Sequence, residues 1–587
     1  MTMIARDDYP RPQFVRDAWM TLNGTWDFAA DDRHVGLAER WYETDSFDRK
    51  ICVPFTYQSQ LSGIQEHTFH DVVWYRRSFK IPAEHSGNRA ILHFGAVDYD
   101  AKVWVDGQLV CSHQGGNSSF SVDITDVLKG EEHNIVVRAQ DYFEDLTLPR
   151  GKQYWKEKGE VMWFTNMTGI WQSVWIEFVQ NVYLERVRFT PHLDTNEIEI
   201  ETFIEGLARG QHVDLCIEIT FEGAFIAKEI IRAGDEESRR IHLKDFNDHG
   251  FGRWWSPEKP NLYDVQFTLL LDRSPIDRVT SYFGVRKISI ENGKVCLNNK
   301  PYQMKLVLDQ GYYHDGILTA PSDNAIRLDV ELCKQMGFNG ARKHQMVADP
   351  RYLYWCDRLG LLVWGEMANA YKYSESYAYK MTSEWGEVIK RDYNHPCIVA
   401  WVPLNESWGV PDIWNNAKQR HHAMSLYHFT KSVDTTRLVL SNDGWEHCLS
   451  DLCTIHDYAH DRAVLMERYS SIEQVMSDLP AKKFIYAEGY QYGGEPVLVT
   501  EFGGINLRVL PESPVVTPCA ADERQFLGQL VDVIHPMVVS GMLQGYCYTQ
   551  LTDTETEICG LLTWDRKPKI PLSLIRRINE GELVDEL

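Results

Sequence analysis

The chain has 587 residues, with 84 acidic against 60 basic side chains and a formal net charge of −24. A surface of that sign repels phosphate backbones and anionic lipid, so neither nucleic acid nor a membrane is expected as a partner. Hydrophobic residues at 44% and aromatic residues at 12% describe a globular chain, one too long to be a single small binding module.

No apolar run approaches the roughly 18 residues of a membrane span, and the opening MTMIARDDYPRPQF lacks the apolar core of a secretion leader. A cytoplasmic location is expected. The 12 cysteines, Cys52, Cys111, Cys333 and Cys547 among them, sit mostly in strand-like or helical runs and read as reduced core residues.

Three regions follow one another. Residues 1–180 carry short alternating or β-branched runs (TWDF, RRSFKI, RAILHFGAV, AKVWVDGQLV, HNIVVRAQ, QSVWIEFV) separated by Gly, Asp, Asn and Pro, the pattern of a jelly-roll β-sandwich. Within it, Val103 to Val110 reads as a hairpin turning on Asp106-Gly107. A second strand series over 181–285 has the size of an immunoglobulin-like sandwich and offers no candidate chemistry. From 286 to 587 strand runs alternate with helical ones. The eight strand candidates are QMKLVLD, FNGARKH, GLLVWGEM, CIVAWVPLNE, RLVLSND, CTIHDYA, PVLVTEF and MLQGYCYTQ. AIRLDVELCKQMG shows the intervening helices, with Ile326, Val330 and Cys333 on one face and Gly337 as the stop. Eight strand-helix units predict a (β/α)8 TIM barrel, and so a multidomain β plus α/β chain.

Catalytic groups of such barrels stand just past the C-terminal ends of the strands. Strand 4 ends in Asn405-Glu406 and strand 7 in Thr500-Glu501, which face one another across the mouth. A lone strand-end glutamate is ordinarily a salt-bridged structural residue. Two on opposing strands form the arrangement that flanks a scissile glycosidic bond. Asn405 can offer its amide to a sugar hydroxyl, and Trp408, Trp445 and Tyr458 form a candidate aromatic platform.

With these residues in view, the sequence resembles glycoside hydrolase family 2, the β-galactosidases, β-glucuronidases and β-mannosidases. Asn166 to Trp175 is similar to the family's T-G-I-W-Q-x-V-W segment, Gly337 to His344 to its G-x-N-x-x-R strand 2, and Asp392 to Trp401, running into Asn405-Glu406, to its N-H-P-S-V-x-x-W and N-E. The resemblance implies Glu406 as acid/base, Glu501 as nucleophile, Asn405 as a hydroxyl ligand, Arg342 as partner of the nucleophile and Tyr458 as the active-site tyrosine. It also implies retention of configuration, with carboxyl groups about 5 Å apart. A cation beside Glu501 is expected to keep it ionised, with Glu406 in the drier position as proton donor. Family members commonly assemble through their sandwiches, so a homo-oligomer is expected.

The departures from the pattern are informative. Gly560 to Lys569 preserves the family's G-x-x-T-x-D-R-K-P-K, but Glu557 and Cys559 stand where β-glucuronidases carry the Asn and Lys that grip a sugar carboxylate, and a glutamate there repels a uronate. The loop after Glu366 lacks the E-x-H of metal-binding β-galactosidases, so no metal and no cofactor is expected. Which aromatic replaces the family's strand-8 tryptophan stays open over Tyr546 to Asp553.

Other groupings weigh less. His447, Cys448, Cys453 and His456 match no compact zinc spacing, and His456 is a candidate sugar contact. Asp309, Tyr312 and His314 follow strand 1 and either line the mouth or serve structure. His421 and His422 lie on an amphipathic helix as a surface and a core residue. The expectation is an exo-acting retaining glycosidase that takes a small glycoside or oligosaccharide and releases a neutral non-reducing-end sugar. A β-galactosidase type comes first, a β-galactofuranosidase or α-L-arabinofuranosidase of the same family second, and a non-catalytic carbohydrate-binding protein is the rival class.

Overall fold

The computed structural model describes residues 6–244, 252–507 and 518–585. The first region forms an antiparallel sandwich of a four-stranded and a six-stranded sheet. Its alternating runs place Trp26, Phe28, Tyr75, Leu92, Val103, Val137 and Ile176 in one apolar layer between the sheets. The Asp106-Gly107 hairpin forms as expected between Asp100–Val105 and Gln108–Gln114. Both turn residues have positive φ, 47° and 78°, which matches the right-handed twist of the two strands.

Seven antiparallel strands in sheets of three and four make the second sandwich. Strict alternation along Glu197–Glu205 sends Ile198, Ile200 and Ile204 inward and the glutamates outward. Three short antiparallel strands between Ile288 and Pro301 then precede the barrel.

The barrel strands are β1 (Met304–Asp309), β2 (Gly340–Lys343), β3 (Leu362–Glu366), β4 (Ile398–Val402), β5 (Leu438–Val439), β6 (Cys453–Asp457), β7 (Val497–Gly503) and β8 (Gly545–Thr549). They pair in parallel in the order β5-β4-β3-β2-β1-β8-β7-β6. Helix α1 (Asp323–Gln335) buries the expected Ile326, Val330 and Cys333. Ser322 caps it by accepting from the Ala325 N–H, a contact worth about 1 kcal/mol.

The expected eightfold alternation fails at one place. Residues 440–452 run from β5 to β6 without a helix, and β5 has only two residues although the whole run RLVLSND reads as a strand. The reason lies in the partners of the following residues. The Asn442 side chain accepts from the Ser407 N–H and the Asp443 carbonyl from the Glu406 N–H, so this chain turns over the mouth instead of continuing the ladder. Gly444 closes the β5/β6 seam, donating to Thr454 Oγ1 and accepting from the His456 N–H.

All 12 cysteines are unpaired, and Cys52 and Cys111, expected in the core, are only half-buried. Among the described residues no helix is long and apolar enough to cross a membrane.

Candidate active site

Residues at and just past the ends of β2 to β7 converge on Arg342, which is fully buried in the barrel. Its Nε lies 2.6 Å from Glu366, and its Nη1 lies 2.7 Å from Asp443 and 3.1 Å from Glu501. Nη2 donates to Asn405 Oδ1 at 2.6 Å. A buried guanidinium is costly unless its donors are met, and here three carboxylates and an amide meet them.

Glu501 lies near the end of β7, with Oε1 on Arg342 and Oε2 accepting from the Tyr458 hydroxyl at 2.7 Å. Burial alone would favour its neutral form. The charges of His456 and Arg342, together with the Tyr458 hydrogen bond, outweigh burial and bring its pKa down to about 2. The anion expected of a nucleophile is thus held by its neighbours. Tyr458 turns much of its ring to solvent while its hydroxyl is committed to Glu501.

Glu406 follows β4 in a left-handed backbone, with φ 51° at Glu406 and 60° at Ser407. Non-glycine residues hold that conformation only where their surroundings over-determine it. Here the Asp443 carbonyl and the Asn442 side chain fix the two N–H groups, and Ser407 Oγ donates to Glu446 at 2.5 Å. The side chain is 18% exposed against 7% for Glu501, so the drier carboxylate is Glu501, the reverse of the expectation. Access from the open mouth suits a group that exchanges protons with a leaving group and then with water.

His456 stands between the two. Its Nδ1 lies 2.7 Å from Glu406 Oε1 and 3.6 Å from Glu501 Oε2, and its Nε2 lies 3.2 Å from Asp443. Although burial opposes its charge, Glu501 and the hydrogen bonds to Asp443 and Glu406 push its pKa up to about 10. His456 is therefore an imidazolium that stands between the Glu406 and Glu501 carboxyl groups. His344, packed against Arg342, is driven the other way by burial and by the arginine charge and stays neutral. One oxygen from each glutamate and a His456 nitrogen fall within 4.8 Å of one another. Glu366 is taken up by Arg342 and the Gln345 N–H.

Asn405 directs its Oδ1 to Arg342, and among the described residues its buried Nδ2 has no hydrogen-bond partner, which leaves a donor at the floor of the mouth. Trp445 packs edge-on to His456 at 5.5 Å, and Trp408 lies against Tyr371 at 5.1 Å. Glu557 also joins the mouth: it accepts from Gln310 Nε2 at 3.0 Å and senses the charges of Glu501 and Glu406. The strand-8 position nearest the site is Thr549, whose Oγ1 lies 3.5 Å from the Tyr458 hydroxyl. Tyr546 instead points away to Asn579.

Three candidates fall outside. Asp309 is buried in an ion pair with Lys343 at 2.8 Å and accepts from the Gly311 N–H, so it is a structural residue and not a sugar ligand. Tyr312 packs on Phe164 of the first sandwich, and His314 lies exposed against Trp564. His447 is committed to the Thr454 backbone, which divides the His/Cys grouping. Asp443 and Glu366 escaped the sequence reading although both follow barrel strands, the rule that singled out Glu406 and Glu501. Lys152, from the first sandwich, had no such signal.

An eight-stranded parallel barrel holding two carboxylates this close at its mouth falls in the class of paired-carboxylate barrels whose geometry suits glycosidic bonds. The chain belongs to glycosyl hydrolases family 2. The family's sugar binding domain matches residues 19–177, its central domain 182–286 and its TIM barrel domain 288–503. Similar proteins include a putative β-glucuronidase of Formosa agariphila, 27% identical over 428 residues (71% of this chain, 49% of that protein). A β-galactosidase of Thermoanaerobacter pseudethanolicus is 27% identical over 406 residues (68% and 52%). The chain thus spans about half the length of these two relatives. A dog (Canis lupus familiaris) β-glucuronidase is 24% identical and matches over 97% of this chain and 91% of its own. In fold, the chain is similar to the β-glucuronidase from Ruminococcus gnavus in complex with D-glucuronic acid, with TM-score 0.78, 18% identity, and 98% and 100% of the two chains covered.

Proposed function

We propose that this chain is an exo-acting retaining glycosidase for neutral non-reducing-end sugars, of the β-galactosidase type. The observation that carries the reaction is the approach of Glu406 and Glu501 within 4.8 Å, on the short side of the carboxyl spacing that divides retaining from inverting enzymes. Glu501, ionised and oriented by Arg342 and Tyr458, attacks the anomeric carbon while Glu406 gives its proton to the leaving oxygen. The glycosyl ester on Glu501 is then cleaved by water that yields its proton to Glu406. Asn405 Nδ2 offers a donor to a sugar hydroxyl during both steps.

The neutral substrate rests on Glu557, which presents a carboxylate where a uronate would need a partner. Several similar proteins are named β-glucuronidases, and that activity is the second reading. A hydrolysis panel of aryl galactosides, glucosides, galactofuranosides, arabinofuranosides and glucuronides separates the two, and NMR of the first anomer released reports the stereochemistry. Turnover of neutral glycosides with retention is expected. A preference for glucuronides, or release of the inverted anomer, overturns the reading.

A further inference from the structure

Lys152 belongs to the first sandwich, yet its ammonium stands in the barrel mouth. The residue is 7% exposed, and among the described residues its Nζ makes no hydrogen bond. Its nearest anionic neighbour is Glu557 Oε1 at 3.9 Å, and the ring centroids of Trp408 and Phe164 lie at 5.6 and 5.9 Å. The side chain is buried while its ammonium, held by one loose ion pair, keeps three N–H donors for a ligand in the mouth.

The backbone holds it there. Gly151, with φ 60°, donates its N–H to Asn369 O and accepts from the Tyr371 hydroxyl. A Cβ at Gly151 would fall 2.0 Å from the Gln345 carbonyl oxygen, so only glycine lets this turn dock on the barrel rim. Gln153 accepts from the Met167 N–H and donates to Asp98 on the far side. The loop after β8 is clasped in return: Glu555 accepts from the Thr165 N–H, and Thr556 donates to Val161 O. Lys152 and Glu557 are thus brought together by two chain segments that pin one another.

We propose that Lys152 and Glu557 form the subsite that reads the end of the glycone remote from the scissile bond, so that the sandwich domain supplies half of the sugar specificity. As a pair they are net neutral and offer an ammonium donor beside a carboxylate acceptor, which suits adjacent sugar hydroxyls. A sugar carboxylate would add a second anion beside Glu557. Without the Glu557 charge, Lys152 becomes an unpaired cation and the same subsite draws a uronate. The proposal rests on the neutral-sugar reading above and extends it to Lys152.

The test compares the full chain with E557Q, K152M and the K152M/E557Q double variant. Turnover is read on matched 4-nitrophenyl β-D-galactoside and β-D-galacturonide. Binding of galactose and galacturonate is read by calorimetry with the same substitutions in an E501Q background. E557Q should raise the uronate-to-neutral ratio about 100-fold, and K152M should cancel that gain, while K152R should keep it. K152M alone should weaken galactose binding and raise KM more than it lowers kcat. An unchanged ratio in E557Q, or a gain that persists in the double variant, overturns the proposal. Turnover by the wild-type chain decides the proposed function separately, because the affinity ratio in the E501Q background needs no catalysis.

Discussion

His456 and Glu406 meet at 2.7 Å, Nδ1 to Oε1, across the mouth between β6 and the end of β4. The same ring lies 3.6 Å from Glu501 and 3.2 Å from Asp443, so the imidazolium links the proposed acid/base Glu406 to the proposed nucleophile Glu501 and to the buried Arg342 network. Its charge is part of what keeps Glu501 an anion. Replacing His456 with Asn should lower kcat/KM about 100-fold and move the acid limb of its pH profile upward, because Glu501 then loses its largest favourable charge. A second readout follows from linkage. A pKa raised from 6.5 to about 10 in the folded chain contributes stability that is fully present below pH 6.5 and is lost as pH rises through about 10. The Tm difference between wild type and His456→Asn should therefore shrink across that window. A pH profile that superimposes on the wild type removes His456 from the mechanism.

Glu501→Gln keeps the volume of the proposed nucleophile but not its charge, and it can accept only one of the two hydrogen bonds that Arg342 and Tyr458 donate to the carboxylate. Turnover should fall by about 10⁴-fold or more while circular dichroism stays native. A lowered carboxylate pKa contributes stability above the ordinary value of 4.5 that is lost as pH falls through about 2. Wild type should accordingly lose any stability advantage over Glu501→Gln in strong acid. Near-normal turnover by the variant contradicts the assignment.

Glu406→Ala should cost about 10²–10⁴-fold on alkyl glycosides, whose leaving groups need a proton. Activated aryl glycosides should suffer less in the first step, and azide should restore part of the lost rate. Equal losses on both substrate types would argue that Glu406 orients substrate without moving a proton.

Activity should withstand exhaustive chelation. The positive charge that a divalent ion would bring to the carboxylates is already supplied by Arg342 and His456, and Glu366 is engaged by Arg342. A loss restored specifically by Mg²⁺ would show that other oxygens in the mouth assemble a site.

Gly151→Ala should destabilise the chain by about 1–3 kcal/mol and raise KM more than it changes kcat, because the turn carrying Lys152 must lift from the barrel rim. Unaltered Tm and KM would mean that the rim yields without moving the lysine.

Local pattern was enough to determine the Asp106-Gly107 hairpin, helix α1 and the placing of Glu406 and Glu501 at the mouth ends of two barrel strands. Period-2 and period-3.6 burial are written residue by residue, and a carboxylate directly after an apolar barrel strand is placed at the mouth by the fold alone. Tertiary structure decided the rest, because charge and burial are sums over groups far apart in the chain. Only the folded barrel shows that Glu501 is the drier carboxylate, that His456 is a cation between two glutamates, and that Asp309 spends its charge on Lys343. The helix missing between β5 and β6 is of the same kind: Asn442 and Asp443 abandon the ladder for partners in the Glu406-Ser407 turn. Lys152 is the furthest case, since nothing around it in sequence marks it and its place beside Glu557 exists only because a sandwich turn, lacking a Cβ at Gly151, can lie against the barrel rim.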